Sequence, residues 1–256
     1  MSDAIFGHRL DHVDYCLIDF ETTGLSPFND GIVEVACVRM SGTGQIRGGF
    51  SSLVKPPCRV GASQIHGIYA EDVADAPTIA DISGHIARYL DGAVLVAYNV
   101  YFDYSFLQRQ VLAPQGITQE IPHLCCMWMR GLLGLSPSRM KLGTACREKG
   151  IDVGTSHAAY DDAVASSQLF ALYLRQARQS GLHTFKQLAG RKKYKFLKSW
   201  NEPLPRLIWS DLPAKQGKSR TTRYTSRSLP IEQSPPDEGR WLDPLSQNRP
   251  GSPHWR

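Results

Sequence analysis

The chain has 256 residues, 42% hydrophobic and 21% charged, with six cysteines and a formal net charge of +5. That length suits one large domain, or one domain with an appendage. No stretch approaches the roughly 20 apolar residues of a membrane span, and the first 15 residues (MSDAIFGHRLDHVDY) lack the apolar core of a signal peptide, so a cytoplasmic protein with no membrane partner is expected.

The cysteines agree with that compartment. Cys16 and Cys37 lie in apolar runs, Cys125 and Cys126 are adjacent, and Cys58 and Cys146 stand alone, with no CxxC pair and no Cys/His ligand spacing. Buried, reduced thiols are expected, and no zinc site. The charge is uneven. Residues 1–185 carry 14 Lys+Arg against 18 Asp+Glu, a net −4, whereas residues 186–256 carry 15 against 6, a net +9. An acidic body with a basic tail implies that the tail meets a polyanion.

In chain order, Tyr15–Phe20 reads as a buried strand, followed by a turn-rich GLSPFND segment. Two further strands, 32–40 and about 46–54, are joined by a short SGTG link, as in a hairpin. Residues 78–90 have helical periodicity, with Ile79, Ile82, Ile86, Ala87 and Leu90 on one side. AVLVAY (93–98) is another apolar strand, leading to a helix from about 101 to 112. Segment 121–150 reads as short helical pieces broken at Gly134 and Pro137, and the last strong helix spans about 158–179. An antiparallel start followed by β-α alternation predicts a mixed α/β sheet covered by helices. From residue 201 onward prolines with Ser, Arg and Gly replace apolar periodicity, so that stretch is expected to be mostly disordered. The organisation expected is a domain over 1–184 and a basic, Pro-rich, largely disordered tail over 185–256.

Three groups of residues carry chemistry. Asp19 and Glu21 are two apart on a strand and therefore share a face. Two acids at the end of a buried strand are costly unless a cation lies between them, and hard divalent ions suit an oxygen-only donor set. Asp103 lies in the first turn of a helix for which Asn99 is a candidate N-cap. In His157-Ala-Ala-Tyr-Asp-Asp162, five helical steps would put His157 and Asp162 roughly 140° apart. His157 is therefore expected in the loop before the helix, leaning over a site that Asp162 enters from the first turns, with Asp161 pointing elsewhere.

Taken together, Asp19-x-Glu21-Thr22-Thr23-Gly24, Asn99-x-x-Phe102-Asp103 and His157-x-Ala159-x-x-Asp162 resemble the three motifs of the DEDDh exonucleases. That group includes the proofreading epsilon subunit of bacterial DNA polymerase III, ribonuclease T and oligoribonuclease. The resemblance covers about residues 13–178 and extends to Gln64-Ile65-His66-Gly67-Ile68. Tyr98 stands where the family often has His, and Ala158 where Arg is common.

The resemblance implies a ribonuclease H-like, mixed five-stranded sheet flanked by helices. It implies a metal-dependent 3′→5′ exonuclease that releases nucleoside 5′-monophosphates, with two divalent ions, Mg²⁺ with Mn²⁺ able to substitute. Asp19, Glu21, Asp103 and Asp162 would be the metal ligands and His157 the general base. Thr22, Thr23, Leu25, His66, Asn99 and Phe102 would meet the terminal nucleotide. The partner expected is the 3′ end of a single strand, DNA in preference to RNA, with RNA 3′-end trimming as the alternative and an inactive nucleic-acid-binding module as a third reading. The basic segment 185–200 mixes six Lys/Arg with aromatics, which suits a single strand, a replication or repair protein, or packing on the body.

Overall fold

The structure, a computed structural model, describes residues 4–137, 139–153 and 158–207. Five strands, β1 (Asp14–Thr22), β2 (Ile32–Met40), β3 (Ile46–Leu53), β4 (Ala93–Ala97) and β5 (His123–Cys125), form one sheet in the order β3-β2-β1-β4-β5. β1 to β3 are antiparallel, while β4 and β5 run parallel to β1. The mixed five-stranded sheet flanked by helices is thus present, with the hairpin at the expected link.

The helices are α1 (Ser63–His66), α2 (Ala70–Val73), α3 (Ile79–Leu90), α4 (Val100–Phe106), α5 (Cys126–Leu132), α6 (Leu142–Glu148), α7 (Ala159–Gln179) and α8 (Phe185–Ala189). Thr78 caps α3 through a reciprocal pair of hydrogen bonds with Asp81, and Ile82, Ile86, Ala87 and Leu90 bury its apolar face, as the periodicity predicts. α4 is shorter than its pattern suggests, because the chain widens into a π-helical turn over Leu107–Leu112. That turn brings the Gln110 amide to the carbonyls of Pro27 (3.1 Å) and Asp30 (2.7 Å), anchoring the loop after β1. All six cysteines are unpaired thiols, five of them buried. Among the described residues no helix is long and apolar enough to cross a membrane.

Two departures from the sequence reading concern the far edge of the sheet. The fifth strand is His123–Cys125, inside the segment read as helical pieces; three residues are too few to show an alternation of period two. The chain beyond 184 is also more structured than expected. α8 and a 3₁₀ helix over Lys195–Asn201 pack on the body and bury Phe185, Leu188, Phe196 and Trp200. Trp200 Nε1 donates to the His123 carbonyl (2.8 Å), and the His123 N–H donates to Ser199 Oγ (3.1 Å), so this segment occupies backbone groups of edge strand β5. The packed body therefore continues past residue 184: of the alternatives open for 185–200, packing on the body is the one seen, and it runs on to Leu207 in the stretch read as mostly disordered. The rest of the basic tail, from 208 onward, lies outside the described residues.

Trp200→Ala should accordingly lower unfolding free energy by about 3–5 kcal/mol, the cost of truncating a fully buried aromatic. Urea denaturation followed by far-ultraviolet circular dichroism measures this, and a change below about 0.5 kcal/mol would mean that the segment does not hold the edge.

Candidate active site

The acidic site forms where β1 outruns its parallel neighbour. β4 pairs only with Asp14–Leu17, so Asp19, Phe20 and Glu21 have β2 on one side and no strand on the other. α4 fills that side. Its Asp103, 4% exposed, accepts the Phe20 N–H through Oδ1 at 3.2 Å, replacing the carbonyl that a longer β4 would have offered. Asp103 is thus drawn to the acids by an unpaired backbone donor. α7 approaches from the β1–β2 face along a run of small buried residues that includes Ala159, Ala163, Ser166 and Ser167. Asp162, in its first turn, completes a cluster in which ligand oxygens of Asp19, Glu21 and Asp162 lie within 4.8 Å of one another.

A fifth acid, Glu34, adjoins the site. The hairpin register places it opposite Glu21, and its Oε2 accepts the Ala159 N–H at 3.0 Å, so a buried carboxylate holds the first helical turn of α7. Within β2 nothing separates Glu34 from an ordinary strand acid; only the cross-strand register reveals it.

These charges raise one another's pKa values. Burial pushes the Asp19 carboxyl well above the usual range, and the charges of Asp103, Glu21, Asp162 and Glu34 add to it. Glu21 is pushed up to about 8 by burial and then by Glu34, Asp162 and Asp103. Burial raises Asp103 to about 7 against the opposing pull of the Phe20 N–H. An oxygen-only donor set that cannot ionise fully by itself suits hard divalent cations, which favour the charged form of every carboxylate present. Asp19, Glu21 and Asp162 could hold one such ion, with Asp103 adjacent.

The remaining predicted site residues fall in three places. Thr22 and Thr23 are buried and make the turn after β1: Thr22 Oγ1 donates to the Gly24 carbonyl (2.6 Å), the Thr23 N–H donates to the Gly31 carbonyl (2.9 Å), and the Gly31 N–H donates to Thr23 Oγ1 (3.0 Å). A Cβ on Gly24 would fall 2.5 Å from the Asp30 carboxylate, which explains the glycine after the two threonines. Leu25, 85% exposed, projects from this loop. Asn99 stands at the N-cap of α4 but makes no side-chain capping bond, and Phe102 packs on Phe106 at 5.1 Å. His66 is buried. Its Nδ1 accepts the Ile68 N–H, which leaves Nε2 to donate to the Gly61 carbonyl (3.0 Å), so its ring braces the 61–68 turn. His157 lies outside the described residues.

This sheet order and the placement of acids on β1, α4 and α7 define a ribonuclease H-like exonuclease fold. A family profile described as Exonuclease (RNase_T) matches residues 16–170, and the chain belongs to that family. It is 29% identical over 176 residues to a DNA polymerase III subunit epsilon of Treponema pallidum, covering 67% of this chain and 81% of that protein. Among solved structures, exonuclease X in complex with 5′-overhanging duplex DNA superposes with a TM-score of 0.50 at 27% identity, over 69% of this chain and 98% of that one. The nuclease domain of 3′hExo, a DEDDh family member bound to rAMP, superposes with a TM-score of 0.55 at 19% identity, over 68% and 95%, and shares the fold. Other curated relatives are much longer: the chain spans from 13% to 26% of their length.

The raised carboxyls make a testable stability signature. A folded acid with a raised pKa imposes no penalty below its unfolded value, near pH 4, and the full penalty above its folded value, near 7 for Asp103 and 8 for Glu21. Without divalent metal, the Tm should fall as pH rises from 5 to 8.5, and Asp19→Asn should shrink that fall. Saturating Mg²⁺ should raise the wild-type Tm most at the alkaline end. Scanning calorimetry across this range checks all three, and identical pH slopes for wild type and Asp19→Asn would refute the repulsive cluster.

Proposed function

We propose that the protein is a metal-dependent 3′→5′ exonuclease acting on DNA ends, of proofreading or repair type. The observation that carries this reading is the convergence of Asp19, Glu21 and Asp162 oxygens within 4.8 Å, next to buried Asp103. Preference for DNA is supported by the relative named as a polymerase III subunit and by the neighbour solved with DNA.

Asp19, Glu21, Asp162 and the adjacent Asp103 would hold two divalent ions; Mg²⁺ suits these oxygen donors and Mn²⁺ could substitute. When bound, the pair supplies water activation and neutralises charge developing at the scissile phosphate and on the leaving 3′ oxygen. The protein's side chains do the rest. His157 accepts the proton of the attacking water, a general-base role to which an imidazole is suited. Water adds to phosphorus, the bond to the 3′ oxygen breaks, and a nucleoside 5′-monophosphate leaves. The Thr22–Thr23 backbone meets the terminal 3′-hydroxyl, exposed Leu25 wedges against the last base, and Asn99 and Phe102 line the same nucleotide. His66 acts by holding the 61–68 turn beside it.

Asp19→Ala and Asp162→Ala should each abolish hydrolysis, EDTA should do the same to the wild type, and His157→Ala should lose about 10²–10⁴-fold in kcat with metal binding kept. The assay follows 5′-labelled and 3′-labelled single strands and duplexes of DNA and RNA. Robust cleavage in EDTA or by Asp19→Ala would end the metal-dependent reading, and faster turnover of RNA would move the substrate to 3′-end trimming.

A further inference from the structure

Six cations between residues 186 and 198 sit on a segment whose aromatics are packed inward, so their positions are set by the fold. Lys186, Arg191, Lys192, Lys193, Lys195 and Lys198 are all exposed. None of them is in an ion pair with a carboxylate among the described residues. Between Lys193 and Lys195, half-buried Tyr194 stacks on Phe196 at 5.6 Å and lies 4.8 Å from the Trp128 ring. The Arg139 guanidinium caps Trp128 at 4.5 Å from the ring centroid. Two flanks of one surface therefore carry positive charge, with aromatic rings between them.

Both flanks are tied to the start of α4, the helix that delivers Asp103. Tyr101, 40% exposed, meets Phe196 edge-on at 6.4 Å, and its phenol oxygen faces the backbone of Lys195 and Phe196. On the other side the Tyr98 hydroxyl donates to the Met140 carbonyl at 2.6 Å, fixing the residue next to Arg139. Tyr101 and Asp103 are two residues apart on one helix, about 200° around its axis. The surface and the acidic cluster thus lie on opposite sides of a single helical turn.

We propose that Lys192, Lys193 and Lys195, with Arg139 on Trp128, form a strand-guiding surface for single-stranded nucleic acid whose 3′ end occupies the acidic cluster. The occupant follows from charge complementarity and from the one turn of α4 that separates this surface from the acidic cluster. The lysines neutralise phosphates, and the guanidinium–indole pair offers a platform for a base. An acidic body needs such a surface, since the cluster itself repels the strand it must hold. The proposal rests on the exonuclease reading, but its test does not use catalysis.

The experiment is fluorescence anisotropy in EDTA, with 5′-labelled dT20, rU20 and dT3, comparing wild type with Lys192→Ala/Lys193→Ala/Lys195→Ala and with Arg139→Ala. Each lost phosphate contact should flatten the log Kd against log salt slope by about 0.7, so the triple variant should lose about 2 from the dT20 slope. At 50 mM salt it should bind dT20 at least tenfold more weakly, with dT3 unchanged and the Tm kept, because these side chains are in solvent. Equal losses for rU20 identify the shared phosphate chemistry, whereas a loss for dT20 alone adds a contact that reads the sugar. Unchanged dT20 affinity and slope in both variants would overturn the proposal. Separately, wild-type protein that binds dT20 as described but hydrolyses no strand with Mg²⁺ would refute the exonuclease reading and leave this surface standing.

Discussion

Mutual repulsion among buried and half-buried carboxylates at the end of β1 is the constraint on which the rest of the architecture depends. Asp19 faces the charges of Asp103, Glu21, Asp162 and Glu34, with burial as the largest single cost. Left to themselves such groups would move apart or stay protonated. They stay together because each is positioned by an element whose own stability lies elsewhere. β1 is the central strand of the sheet, α4 is tied to the Phe20 N–H, and α7 buries a long apolar face that includes Leu169, Phe170, Tyr173 and Leu174. The packing energy of the core holds the acids against one another, a repulsion that a bound divalent cation would relieve.

The elements around the site are shortened or bent where chemistry needs them. β4 stops before Asp19, and this creates the unpaired donor that captures Asp103. α4 widens into a π turn, and Gln110 uses that widening to fasten the loop bearing Leu25. Glu34 turns a repulsive cross-strand partner into an anchor for α7, because the free N–H groups at a helix start favour a negative charge. At the far edge, residues 185–207 close β5 and in doing so present their lysines beside α4. A single segment therefore serves the fold with its aromatics and faces solvent with its cations.

Much of this was legible in the chain, and the reasons are local. The period-two pairing of Asp19 and Glu21, the apolar runs of β1, β2 and β4, the helical periodicity of α3 and the motifs that identified the exonuclease family all lie within windows of a few residues. What such windows could not show depended on neighbours distant in sequence. Strand β5 is too short to carry a pattern, and its edge is completed by Ser199 and Trp200, more than 70 residues away. For residues 185–200 the sequence left strand binding, partner docking and packing on the body open; Phe185, Phe196 and Trp200 are buried together, with Trp200 bonded to β5, a contact that no local window shows. His66 was expected near the terminal nucleotide; its burial and its bonds to Gly61 and Ile68, which brace the 61–68 turn, show only in the folded chain.

The sequence by itself determined the set of acids, their order, and the secondary elements that bear them, because residue identity and short-range periodicity act within one strand or one helical turn. Tertiary structure alone decided that Asp103 would answer a missing strand, that Glu34 would join the cluster through the hairpin register, and that the basic segment would lie against α4. Each of these follows from a contact between residues far apart in the chain. Such a contact forms only when the core has already paid the entropy of bringing them together.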